Sequence, residues 1–584
     1  MADSKIHVWE THEIVLQAES DYRNPYRDVD VWVDLKGPGF ERRCYGFWDG
    51  GNVFRIRVTA ESPGEWTWSS GSRPADPGLA GKRGRFSASA WTEEEKSENP
   101  LRRGFIRATP NGHAFQYADG EPFFYLADTW WPAGTFRYRW HEDDEPRPPG
   151  PEMGLKDALR YRKAQGYNGV AMIAAFPHWA RDGRPRTLKG PNNLPIRQAW
   201  PHPGTNEAKA MHDEDGNRPF FFPGKVPGLE DVVPDLDRIN PAYFRSLDRK
   251  IDYMNAQGFV PFIEPARRDI GHVWKAYHDW PASYARYVQY VWSRYQANNC
   301  LFSPIHYDWA AQSIPAEDWR DAVNLTIDRW GHPPFGTLVG PNASGSSLEN
   351  FGHIDKARFL TFHQIGNQRE HVHYRRLTEI FHADPPIPGL NGEPYYDGFQ
   401  PEKAKPGTAL SALYCRSGMY GSVLSGGLAG HIYGAQGLWA GEIEEPADPA
   451  MWHAFAWESG DDMRHLKTFA ESEGALYQQL IPSADSLSPN RSGPPGGYEG
   501  WAYCAKTEKA SLLLLYFEKG CPRASLSGLP PRARYRLRWF DPREGAWIEG
   551  AALYCDDLGG AALPAFPGGA DMSDEDWALK LRVE

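Results

Sequence analysis

Four acidic residues stand where apolar runs end: Asp128 closes the run 123–128, Glu264 closes 259–264, Asp308 lies just past 301–306, and Glu393 closes 387–393. Two carboxyls held ~5–5.5 Å apart can open a glycosidic bond with retention, one giving a proton and the other attacking the anomeric carbon. Asp308 and Glu393 are the candidate pair, because the fourth and seventh runs of an eight-membered ring face each other across its mouth. Asp308 could instead cap a loop. Glu264 could bind substrate hydroxyls or pair with Arg267 or Arg268.

That geometry requires a ring of strands. Between about 100 and 475, short apolar runs alternate with longer amphipathic segments, the pattern of βα units around a parallel sheet. Candidate strands are 123–128, 169–176, 259–264, 301–306, 336–341, 360–365, 387–393 and 428–433. Asn240-Pro241 opens a helix to about Gln257, and Pro281 opens another to about Ala297. Eight strands and their helices define a (β/α)8 TIM barrel, which carries its reacting groups at the C-terminal ends of the strands. Residues 180–238, rich in Pro, Gly and charge, read as a loop over the mouth.

On either side the period changes to two. Residues 29–35, 53–58 and 66–68 alternate between turn residues, as do 500–505, 510–518, 534–540 and 545–548. The expectation is α/β architecture with an N-terminal β-sandwich over 1–98, the barrel over 99–478 and a C-terminal β-sandwich over 479–584. The stretch 92–99 reads as a linker.

Composition excludes several partners. The 584-residue chain carries 64 Lys and Arg against 76 Asp and Glu, a formal charge of -12, with no basic tract for a phosphate backbone. No nucleic-acid partner is expected. No apolar run is long enough to span a bilayer, so no membrane partner is expected either. The opening residues lack the apolar segment of a secretory signal, from which a cytosolic location is expected. Six scattered cysteines (44, 300, 415, 504, 521 and 555) read as buried thiols. The 24 Trp, 28 Tyr and 28 Phe offer flat faces for sugar rings, and equally for cores or a homo-oligomer interface. Walker, Rossmann, Gly-x-Ser-x-Gly and His-Glu-x-x-His motifs are missing. His371-Val-His373 reads as a surface pair and not a metal site. Neither cofactor nor metal is expected; the expected partner is a carbohydrate.

The run from Asn111 to Trp131, which contains Asp119-Gly-Glu-Pro-Phe-Phe and Asp128-Thr-Trp-Trp, resembles the opening of the apiosidase-like glycoside hydrolases. Gln165-Gly-Tyr-Asn168, Asn391-Gly-Glu-Pro-Tyr-Tyr-Asp-Gly398 and Ala429-Gly-His-Ile-Tyr-Gly434 with Trp439 are similar to that family too. The motifs Tyr45-Gly-Phe-Trp-Asp-Gly50 and Pro63-Gly-Glu-Trp-Thr-Trp68 resemble the module that often precedes this barrel. The resemblance implies a retaining mechanism with Glu393 as nucleophile and Asp308 as acid/base, the latter needing a raised pKa. Long loops around the mouth point to an exo-acting pocket, and the resemblance suggests pentofuranosides as substrates. The chain departs from the family at His306-Tyr307-Asp308, where relatives carry Gly-Gly-Asp. Candidate substrate-binding residues are Asp128, Trp130, Trp131, His178, Trp179, Glu264, His306, His363, Gln364, Tyr396, His431, Tyr433 and Trp439. Either indole of Trp130-Trp131 could pack the ring against its neighbours, and His431 could belong to the barrel wall. A transglycosylase using the same carboxylates and a non-catalytic carbohydrate-binding protein are the rival readings.

Overall fold

The computed structural model describes residues 4–175, 188–189, 195–196, 210–367, 369–444 and 448–584. Its centre is an eight-stranded, strongly curled sheet in the order Leu301–Phe302, Val260–Ala266, Gly169–Ala175, Tyr125–Thr129, Gly430–Tyr433, Gly389–Asn391, His363–Gly366 and Gly345–Ser346. All neighbours run parallel except the last, which is antiparallel to His363–Gly366. The strand expected over 336–341 is reduced to an extended segment. Phe302 N donates to Leu338 O, Gly340 N to Phe302 O, and Thr361 N to Val339 O, so backbone bonding passes from the fourth strand through 338–340 to the sixth and returns to its start.

Parallel strands covered on both faces are buried throughout, as Tyr125–Thr129 and Gly169–Ala175 are. Their alternation sorts side chains into two layers. Tyr125, Ala127 and Trp131 join Ile173, Phe262, Leu301 and Leu390 in an inner cluster. Leu126 and Trp130 join an outer cluster formed with the helices, among them Leu155–Ala164, Pro241–Ala256 and Ala282–Tyr295. The Asn240 side chain accepts from Ala242 N and Pro241 occupies the first turn, the helix start that these residues favour.

Before the ring, a five-stranded and a three-stranded sheet enclose a core that includes Val33, Leu35, Ile56, Val58, Trp66 and Phe86. After it, a seven-stranded sheet and a three-stranded one share a second core. Trp577–Val583 lies between Leu512–Phe517 and Arg534–Asp541 in the larger sheet, a central strand that the sequence reading omitted. Residues 93–98 form a helix and not a linker: Thr92 and Glu95 make a reciprocal capping box. All six cysteines are free and buried. No helix of the described residues is long and apolar enough to cross a membrane.

Both flanking units are tied to the ring by buried charge. Arg294 on a ring helix reaches Asp49 at 3.0 Å, and Arg57 reaches Asp248 at 2.7 Å. Arg416 reaches Asp576 at 2.8 Å. His371, expected on the surface, is fully buried: its Nδ1 is 3.0 Å from Glu518 Oε2 and its Nε2 2.7 Å from Pro494 O. The second sheet pair supplies both partners, a contact that local sequence around His371 does not announce.

Candidate active site

Glu393 stands two residues beyond Gly389–Asn391, its amide donating to Asn391 Oδ1 at 3.3 Å. A Cβ at Gly392 would lie 1.9 Å from Gln364 Oε1, so a larger residue there would displace the Gln364 amide. Asp308 follows the fourth strand, whose path is extended by His306: His306 N donates to Ala266 O and Arg268 N to His306 O. One oxygen of each carboxylate and one nitrogen of His306 lie within 4.8 Å of one another. Glu393 is only 4% exposed and the Asp308 side chain 14%, so both carboxyls are largely withdrawn from water.

The charges around them are unequal. Asp308 touches Arg268 Nη1, has Arg267 Nη2 at 3.4 Å and has His306 Nε2 at 3.3 Å. Burial alone would raise its pKa, but these cations hold it well below the ordinary carboxylate value. Glu393 has one guanidinium, Arg369 Nη2, at 3.7 Å. Burial and the Asp308 charge push its pKa up. The raised pKa expected of Asp308 is therefore found on Glu393, because three cations converge on Asp308. His306, although burial lowers its pKa, is raised to about 10 by Glu264 and Asp308. His306 has a carboxylate oxygen near each ring nitrogen and Arg268 already contacts Asp308, so the trio is met by counter-charges of the protein itself.

Several expected residues do converge here. Glu264 Oε2 is 2.6 Å from His306 Nδ1, not paired with an arginine. Trp131 lies over His306 with ring centroids 4.4 Å apart, and Trp439 O accepts from Trp131 N. Tyr396 places its hydroxyl 3.3 Å from Thr129 Oγ1 and its ring 4.5 Å from the Arg369 guanidinium. Gln364 points inward, donating to Gly340 O at 3.0 Å.

Others belong to the outer layer, because alternate strand residues face the helices. Asp128 accepts from Arg162 Nε at 2.7 Å and from Trp130 Nε1 at 2.9 Å, and Trp130 stacks on Tyr138 at 5.0 Å. Tyr433 is in register with Asp128 and bonds Ser459. His431 shares its register with Leu126 and Asn391, whose amide donates to Ser422, and burial holds its pKa at about 3. His363 is closed off by Ser347 at 2.6 Å and His353 at 3.0 Å. These five do not meet the carboxylate pair. His178 and Trp179 lie outside the described residues.

Arg369 went unmarked in the sequence reading, and Arg267 and Arg268 entered it only as alternative partners of Glu264. Arg267 and Arg268 instead serve Asp308, and Arg369 is sandwiched between Tyr396 and Phe399. Asn342, at the end of the reduced fifth segment, is buried with neither amide atom hydrogen-bonded among the described residues. Only the clustering of Arg267-Arg268 just past a strand end offered a signal.

A curled sheet with acids at its C-terminal mouth is the frame of many glycoside hydrolases. Over its full length the fold is similar to a protein from Bacteroides vulgatus described provisionally as a glycoside hydrolase, with a TM-score of 0.62, 15% identity and 100% of both chains covered. A glycoside hydrolase family 5 protein from the same organism matches with a TM-score of 0.56 at 16% identity, covering 83% of this chain and 95% of that one. Another glycoside hydrolase matches with a TM-score of 0.55 at 14% identity over 83% and 98%. No curated protein matches the sequence. Residues 5–73 match a domain of unknown function, DUF5060. Residues 109–476 match the apiosidase-like catalytic domain, and the chain belongs to that family.

Proposed function

We propose that this protein is a retaining, exo-acting glycoside hydrolase in which Asp308 and Glu393 are the working carboxyls on a (β/α)8 barrel spanning 99–478, flanked by β-sandwiches over 1–98 and 479–584. The observation that carries the reading is that one oxygen of each carboxylate lies within 4.8 Å of the other at the ends of the fourth and seventh strands, which favours the short spacing of direct attack over the ~6.5–9.5 Å that an interposed water needs. Their burial suits a pocket that receives a chain end. The family description favours a pentofuranoside as substrate.

The resemblance to the family implies Glu393 as nucleophile and Asp308 as acid/base. The three cations at Asp308 favour the exchanged order, with ionised Asp308 attacking and protonated Glu393 donating. In either order the pair works with one proton. Activity is expected to fall as pH rises through the titration of that proton, above the ordinary carboxylate value near 4.5 because Glu393 is raised, and to fall again only under strongly acid conditions, because Asp308 is depressed. A kcat/KM profile checks both limbs.

A screen of aryl furanosides and pyranosides in both anomers tests the reaction. Asp308→Ala and Glu393→Ala with added azide then separate the orders. The nucleophile variant yields the glycosyl azide of inverted configuration and the acid/base variant the retained one. No turnover of any donor, with or without an acceptor sugar, would leave a binding protein.

A further inference from the structure

Glu264 and His306 both sit in the mouth, where substrate hydroxyls would be expected to meet them. Their contacts lead elsewhere. Glu264 lies two residues before the end of Val260–Ala266 and is completely buried. Its Oε2 lies 2.6 Å from His306 Nδ1, and the other ring nitrogen lies 3.3 Å from Asp308 Oδ1. An imidazole flanked by carboxylate oxygens at 2.6 and 3.3 Å is favoured as the cation by both charges, although neither contact has hydrogen-bond geometry. Trp131 covers the ring.

We propose that Glu264 is a positioning residue that acts on Asp308 through His306, keeping the imidazole cationic and turned edge-on to the Asp308 carboxylate, and that it does not bind substrate. The inference rests on reading Asp308 as one of the working carboxyls.

Every charged group around Asp308 fits this division. Arg267 and Arg268 approach it from the segment after the third strand, and both also lean on Asp269, at 3.2 and 3.8 Å. Glu393 faces it from the seventh strand with Arg369 behind, and Asn367 Nδ2 donates to its main-chain carbonyl at 3.1 Å. His306 is the cation whose charge depends on a second carboxylate within bonding distance, and that carboxylate is Glu264. Burial works against the imidazolium, yet the two acids raise it to about 10. An opposite charge at such range shifts a pKa by about 1–3 units. Loss of the Glu264 charge therefore lowers the His306 titration by about that amount, and Asp308, with a neutral neighbour, titrates higher.

The test is a titration of the full-length protein labelled with 13C at histidine Cε1, followed by NMR, with His306→Gln identifying the signal. The parent signal is expected to titrate near pH 10 and that of Glu264→Gln, an isosteric change, about 1–3 units lower. A parent His306 titrating near 6.5, or a signal unmoved by Glu264→Gln, overturns the proposal, the first without any variant. With whichever aryl glycoside is turned over, Glu264→Gln is expected to move the Asp308 limb of kcat/KM upward with KM changed less than about twofold. A tenfold rise in KM at an unmoved profile would mean direct substrate contact and would also overturn it. Failure to turn over any glycoside defeats the hydrolase reading, whereas the NMR titration still decides the Glu264–His306 pair.

Discussion

Glu393→Gln is expected to lower turnover of an aryl glycoside by about four orders of magnitude with little change in thermal stability. The substitution keeps the shape of the side chain and its contact with Arg369, but removes the group that must attack or give up a proton. Either role alone is worth about 10²–10⁴-fold or more, and in a coupled pair the loss of one member disables the other. The cost falls on kcat, since an amide still fills the space beside the sugar. A loss below about tenfold, measured under saturating donor with the melting curve unchanged, would mean that Glu393 does no chemistry.

Asp128→Ala is expected to have the opposite signature, a large loss of stability and none of sugar affinity. Asp128 is a candidate substrate-binding residue in the run that resembles the family's opening, yet its carboxylate is spent on Arg162 Nε, Trp130 Nε1 and the Thr129 amide, all within 2.9 Å and behind the strand. Removing it leaves the Arg162 guanidinium buried without its counter-charge, at a cost of about 3–5 kcal/mol. Replacing both members by apolar residues of similar volume, as in Asp128→Leu with Arg162→Met, should restore most of that loss. Denaturant midpoints of the three variants check the prediction. An Asp128→Asn variant with parental stability and a tenfold higher KM would show instead that the residue meets the substrate.

The residues show why some of this was legible in the sequence and some was not. Period-two alternation located the flanking sheets, and the ends of apolar runs located Glu264, Asp308 and Glu393, because a strand end is a local property. Which face a residue occupies depends on register, and one step of register separates Asp128 and Trp130, behind the strand, from Thr129 and Trp131, in the mouth. Partner choice over long separations was hidden as well. Nothing near Asp308 names Arg268 as its cation, nothing near His371 names Glu518, and the fifth segment pairs through three residues too few to form an assigned strand. The Trp577–Val583 strand was missed although the turn residues of 567–576 precede it and its Leu alternate with Lys and Arg.

The central claim is that two carboxyls drawn together across the ring mouth perform a double displacement. The most direct measurement is the anomeric configuration of the first product released from the hydrolysed glycoside, read by proton NMR before mutarotation. Retention is predicted from the close approach of the two carboxylates, one oxygen of each within 4.8 Å of the other. Inverted product would place a water between the carboxylates and contradict the account.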